Sequence, residues 1–204
     1  MNANIFLTHA RNRAKRVPMG LGFAFPLAVV FLQLKAGAQE VNLGTANDFA
    51  VLAGSAITVA GAANTTSING NIGSYPTPTI TGLGNLVLNG LNETGDAGLM
   101  LQAQNDLSAA YTQAAGLAPT GILTGTGLGN LTLTPGVYFF ASSAQLTGQL
   151  TLNDEGNPDA VFVFQIGSTL TTASSSSVVT INDPTPSTAG MSVFWQVTSV
   201  VSLK

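Results

Sequence analysis

TGLGNLTLTPGVYFFASSAQLTGQLTLNDEGNPDAVFVFQIGSTLTTASSSSVV, residues Thr126–Val179, is the stretch whose reading decides the fold. Leu131-Thr132-Leu133-Thr134 and Leu150-Thr151-Leu152 alternate apolar and Thr positions, the period-two signature of half-buried strands. Pro135-Gly136, Gly148 and Asp154-Glu155-Gly156-Asn157-Pro158 interrupt them with turn chemistry. Phe162, Phe164 and Ile166 share one side of a strand, and Val161 and Val163 take the other. Such a strand is buried on both faces. Thin Thr-bearing strands, glycine corners and a stacked apolar interior point to coils of a β-solenoid.

Outward from that stretch the chain stays mainly β. Phe49-Ala50-Val51-Leu52 reads as a buried-type strand, and Ser67–Gly73 as a coil with Ile68 and Ile72 inward. Thr77, Thr79 and Thr81 stand two apart and project from one side, while Pro76 and Pro78 confine this piece to an edge or loop. Thr81–Leu88 (TGLGNLVL) is echoed by Thr126–Leu133 (TGLGNLTL), a repeat of the sort that stacked units leave. One segment breaks the pattern. Leu99, Ala103, Leu107, Ala110, Ala114 and Leu117 recur at three- and four-residue steps, which predicts one amphipathic helix over about residues 96–117. Thr94 or Asp96 caps its start and Pro119 forbids continuation. Asp183–Ser187 reads as a loop and Ser192–Thr198 as a further alternating strand.

Charge bounds the function. Charged residues make up 7% of the 204, against roughly 25% in an ordinary soluble domain. Arg11, Arg13, Lys15, Arg16 and Lys35 all precede residue 39, and the one later cation is Lys204. A face for nucleic acid needs clustered cations to displace counterions, so no nucleic-acid partner is expected. The basic segment ending at Arg16, the uncharged run Met19–Leu34 and Ala36-Gly37-Ala38 fit a secretory leader with a small-x-small cleavage pattern. The expected organisation is a signal peptide over 1–38 and one solenoid domain over 39–204, exported and extracellular, with no membrane attachment after cleavage. The chain has no Cys, and stacked coils that cover one another can be stable without disulfides. Asn-x-Thr occurs at Asn64, Asn92 and Asn130, the pattern of glycan acceptors in exported chains.

Catalysis lacks its parts. The only His is His9, in the leader, so a nucleophilic Ser or Thr has no imidazole base. Metal ligation lacks His and Cys, and Asp154, Glu155 and Asp159 lie in turn composition that suits a solvated loop. No enzyme, cofactor or metal is expected. What remains is an almost uncharged exterior with twenty-three Thr after residue 38. Thr in a strand holds a hydroxyl and a methyl outward on a stiff χ1, in a grid of ~4.8 Å between strands and ~6.7 Å along them. That grid suits ordered water; it is equally what a good strand former leaves behind.

The order of motifs narrows this choice. Leu43–Ala53 (LGTANDFAVLA), Ile68–Gly73 (INGNIG), Leu133–Tyr138 (LTPGVY), Phe162–Gly167 (FVFQIG) and Val193–Val197 (VFWQV) together resemble the DUF3494 ice-binding protein family. The resemblance implies a discontinuous, right-handed β-solenoid of triangular section with one long α-helix alongside. The implied activity is adsorption to ice crystals, inhibiting ice growth and recrystallisation, by a monomer whose partner is the ice surface. Members place ice contact on one flat face, some through Thr-Ala/Gly-x-Thr/Asn; the nearest match here is Thr172-Ala173-Ser174-Ser175, with Ser in the last place. Ser55, from Ala53-Gly54-Ser55, corresponds by position to the less regular face of fungal-type members. The candidate ice-contact residues are Ser55, Thr147, Thr151, Thr169, Thr172, Ser174 and Thr198. The family continues past the Phe-Trp-Gln-Val strand, so C-terminal coils are expected to be missing. The alternatives are a cell-surface adhesin or matrix module on the same solenoid, and a polysaccharide-active β-helix enzyme.

Overall fold

A computed structural model describes residues 4–9, as backbone, 39–182 and 191–203. Its strands are β1 (Asn4–His9), β2 (Phe49–Ala53), β3 (Ala56–Thr58), β4 (Thr66–Asn69), β5 (Asn71–Ser74), β6 (Thr79–Thr81) and β7 (Leu86–Asn89). The helix α1 (Ala97–Gly116) follows, then β8 (Gly121–Ile122), β9 (Thr132–Leu133), β10 (Gly136–Phe140), β11 (Ala144–Leu146) and β12 (Gln149–Asn153). The chain ends through β13 (Val161–Ile166), β14 (Leu170–Thr172), β15 (Ser177–Ile181), β16 (Ser192–Val197) and β17 (Val201–Ser202). The described residues are thus mainly β with one α-helix. Most of the segment expected to be a leader, and the loop expected at Asp183–Ser187, lie outside the described residues.

From β10 onward the chain visits three parallel ladders in rotation. The first holds β8, β10, β13 and β16, the second β11, β14 and β17, and the third β9, β12 and β15. Before the helix the same rotation occurs twice, pairing β2 with β5, β3 with β6, and β4 with β7. β1 adds antiparallel to β16, with Asn4 opposite Val197 and His9 opposite Ser192. The period-two reading holds within each strand. Leu133, Leu150 and Leu152 point inward with Phe140, Phe162, Phe164 and Ile166, and form one core. Tyr138, Phe164 and Trp195 occupy one register position on three neighbouring strands and stack with ring centroids 5.6 and 4.0 Å apart.

The opposite side of the first ladder is covered too. Val137, Val161, Val163 and Phe194 pack against Ala110 and Ala114 of α1, with Val41 and Leu43. Two turns earlier, Met100 and Ala103 meet Phe49 of β2. Ala at these positions lets the helix lie close to both ladders. Asp96 caps the helix start by accepting from the Leu99 N–H at 3.0 Å. Its end is satisfied from the sheet. Gln165, nearly buried at 4% exposure, donates through Nε2 to the carbonyls of Ala114 (2.7 Å) and Leu117 (2.8 Å). Gln165→Leu keeps the bulk and orphans these carbonyls, so it should cost ~1–3 kcal/mol, read from urea denaturation.

Polar tethers hold the N-terminal segment to α1. The Asp106 carboxylate accepts from the Thr45 hydroxyl (2.7 Å), the Thr45 N–H (2.8 Å) and Gln102 Nε2 (2.8 Å). The Thr45 hydroxyl, then its N–H, hold this carboxyl below its ordinary value, against a smaller opposing effect of burial. A carboxyl with a depressed folded pKa stabilises above the unfolded pKa and loses that contribution as pH falls through the folded value. Asp106→Asn should therefore lower Tm at neutral pH, and the gap from the parent should close below about pH 4. A gap independent of pH would assign the loss to packing alone.

The corners need small residues. A methyl on Gly129 would run into the Thr147 carbonyl oxygen of the neighbouring strand connection. Gly129→Ala should cost ~1–3 kcal/mol through this overpacking, measured as a shift in denaturation midpoint.

Candidate functional site

With the first ladder under α1, the second and third ladders present their outer sides to solvent. On the second, Ala144, Leu146 and Leu170 are buried, and Gln145, Thr171 and Ser202 form the outward column at the intervening position. Thr147 is exposed just past β11, and Thr169 is half-buried just before β14. The corresponding ladder before the helix is β3–β6. Ile57 is buried there, and Ala56 and Thr58 stand opposite Thr79 and Thr81, all four exposed. The Thr81 hydroxyl donates to that of Thr58 at 3.3 Å. No strand of either ladder carries a charged residue. Each outer side is hydroxyls and methyls, with one amide on the second ladder, and parallel pairing keeps the columns of each ladder in register.

The seven candidates do not fall on one surface. Thr169 and Thr147 flank the strands of the second ladder, with Ser174 in the turn after β14. Ser55 and Thr198 occupy the corners that lead from the covered ladder toward β3 and β17; Thr198 N–H donates to Ile166 O at 3.0 Å. Thr151 belongs to the third ladder, beside Thr132. Thr172 pairs with the buried Leu146, which puts it on the core-facing side of β14, with Leu170. Its neighbour Thr171 faces out. Thr58, Thr79 and Thr81 on β3–β6, and Thr171 on the second ladder, are not among the sequence candidates, yet they occupy outward positions of regular strands. For Thr79 and Thr81 the signal lies in Thr77–Thr81, whose alternate Thr positions read as one side; Thr58 and Thr171 carry no such local signal.

Titratable chemistry is sparse near these surfaces. Asp154 is fully buried and closes its own turn, Oδ1 accepting from the Gly156 N–H at 2.9 Å. Among the described residues, no group of three or more His, Cys, Asp or Glu could hold a metal ion. None of the described helices is long and apolar enough to cross a membrane.

A family model described as ice-binding-like matches residues 51–204. The chain belongs to the ice-binding-like family. An ice-binding protein of Nostoc sp. (strain HG1) is 47% identical over 185 residues, covering 89% of this chain and 65% of the relative. One from Colwellia sp. is 32% identical over 205 residues, covering 92% of this chain and 74% of that relative. Among solved structures, an ice-binding protein from the Antarctic ascomycete Antarctomyces psychrotrophicus superposes with a TM-score of 0.71 at 34% identity. That match covers 81% of this chain and 77% of the other. An ice-binding protein from an Antarctic biological consortium gives 0.70 at 33% identity, over 89% of this chain and 76% of the other. The chain therefore spans about two thirds of the length of its Nostoc relative in the ice-binding-like family, and shares the family's mainly β architecture with one helix.

Proposed function

We propose that this chain adsorbs to ice and thereby restrains ice growth and recrystallisation. In this reading the rotation of strands is a right-handed β-solenoid of triangular section, exported after loss of residues 1–38 and acting as a monomer without catalysis. The surface that meets ice is the outer side of β11–β14–β17 with that of β3–β6. One observation carries the assignment: the uncharged outward array of Thr58, Thr79, Thr81, Gln145, Thr171 and Ser202. Of the candidates, Thr147 and Thr169 extend its rows, and Ser55, Ser174 and Thr198 border it. Thr172 supports it from the inner side, and Thr151 lies on another side of the winding.

The physical logic is additive. Charged side chains hold their own hydration shells and mismatch a lattice; methyls and hydroxyls at fixed spacing can sit against one. Each contact is weak, but strand hydrogen bonds and stiff Thr rotamers fix the array beforehand, so little ordering cost opposes binding. Molecules held on the crystal force the front to bulge between them, which lowers the temperature at which it advances. Fine-grained ice annealed below its melting point tests this. Grains should stay small with the full chain present; coarsening at the rate seen with an equal mass of albumin would refute the proposal.

A further inference from the structure

Asn69-Gly70 and Asn89-Gly90 are the chain's two Asn-Gly dipeptides. Each follows a large apolar residue, Ile68 or Leu88, so in an unfolded chain the two behave alike. Asn-Gly is chemically labile because glycine leaves its amide nitrogen unshielded and its backbone free to turn. That nitrogen can then reach Cγ of the preceding Asn. A fold that holds the two dipeptides differently ages them differently.

The structure stacks one above the other. Asn69 stands opposite Asn89 in the β4–β7 ladder, and the Gly70 N–H donates to Asn89 O at 3.0 Å, between the strands. Gly90 is placed otherwise. β4 and β7 form a two-stranded sheet, and among the described residues no acceptor takes the Gly90 N–H. Asn89 and Gly90 are both exposed. Neither glycine is free to change. A methyl on Gly90 would run into the Gly70 carbonyl oxygen, and Gly70 has φ +127°, where a side chain is strained. Close stacking of the two corners therefore keeps glycine after both Asn residues.

We infer that Asn89 is a site of spontaneous deamidation, that the ladder shields Asn69 from the same reaction, and that the amide bond between them paces it. The Gly90 nitrogen attacks Asn89 Cγ and gives up its proton to hydroxide. The N–Cγ bond forms, the Cγ–Nδ2 bond breaks, and Nδ2 leaves as ammonia. Water then opens the cyclic imide at either carbonyl, giving aspartate or isoaspartate. At Asn69 the attacking nitrogen is held in the ladder, which must open before it can react. Asn89 Nδ2 donates to Asn69 Oδ1 at 2.8 Å, so the Asn89 side chain is turned toward its neighbour and must first let go. The product sets a carboxylate, which has only acceptors, against Asn69 Oδ1. It also puts a charge on a pair of strands that carries none.

The full chain, held in mildly alkaline buffer, digested with chymotrypsin and mapped by mass spectrometry, tests this. In the folded chain Asn89 should convert at least about tenfold faster than Asn69, because the slower reaction waits for local opening. In guanidinium the two should convert at similar rates. Asn69→Ala should speed conversion of Asn89 roughly two- to tenfold, the worth of one hydrogen bond. Equal rates in the folded chain, or an Asn89 as inert as Asn69, would overturn the inference. The same preference persisting in guanidinium would trace it to local sequence and overturn the shielding. An Asn89 rate untouched by Asn69→Ala would overturn the pacing.

Discussion

Thr171→Tyr should remove most of the freezing hysteresis of the full chain, since roughly 1.4 kcal/mol of lost contact already weakens adsorption about tenfold. Thr171 lies in the middle of its outward column, between Gln145 and Ser202. A phenol ring there stands above the level of its neighbours and holds a flat crystal facet away from the whole array. The ring points to solvent and leaves the core side of β14 alone, so stability should stay within ~0.5 kcal/mol of the parent. The Thr172→Tyr comparison is informative because that side chain shares the inner side with Leu170. It should cost stability first, and any loss of hysteresis should follow the loss of fold. Equal hysteresis in parent and Thr171→Tyr would remove the β11–β14–β17 side as a contact surface.

The second large effect lies in the core. Phe164 is fully buried and stacks between Tyr138 and Trp195, joining three successive strands of the covered ladder. Phe164→Ala should lose ~3–5 kcal/mol, a large part of the ~5–15 kcal/mol that holds a typical domain folded. Denaturant unfolding followed by fluorescence of the single Trp reads this directly, because Trp195 loses its stacking partner at the same time. A cost below about 1 kcal/mol would mean that the surrounding strands close the cavity, and that the aromatic column is not what aligns them.

Much of the fold is legible because strand periodicity is local. Leu150 and Leu152 declare their side of β12 by alternation, and Phe162, Val163 and Phe164 declare that both sides of β13 are covered. The helix read over about 96–117 is found at Ala97–Gly116, with Asp96 rather than Thr94 as its cap. The site is less legible, and the reason is the corners. Alternation restarts at each turn, where Gly148 and Ser175 adopt positive φ. The phase of one strand therefore cannot be carried into the next. The run Thr171-Thr172-Ala173 offers two adjacent Thr residues, and the pairing of Leu146 with Thr172 settles which faces the core. A short motif match points to Thr172; register puts Thr171, not Thr172, on the outward side.

Long-range polar contacts were also out of reach. Gln165 sits in an apolar strand, and nothing nearby in sequence announces that it caps a helix ending 49 residues earlier at Gly116. Gln102 and Gln113 lie off the Leu/Ala stripe of the helix, where spacing alone assigns no partner. In the structure Gln102 braces Asp106, and Gln113 receives the Asn42 N–H while donating to Glu40 O, each at 3.0 Å. Gln165 ties the helix end to the covered ladder and Gln113 ties the N-terminal segment to the helix, beside apolar packing that already seats α1 on that ladder.

Slow growth of ice over a chilled probe immersed in a solution of the full chain measures adsorption most directly. The chain should be incorporated into the ice fraction, with Thr171→Tyr incorporated less and an albumin control left in the liquid. Rejection of the parent chain into the liquid along with albumin would contradict ice adsorption by this protein.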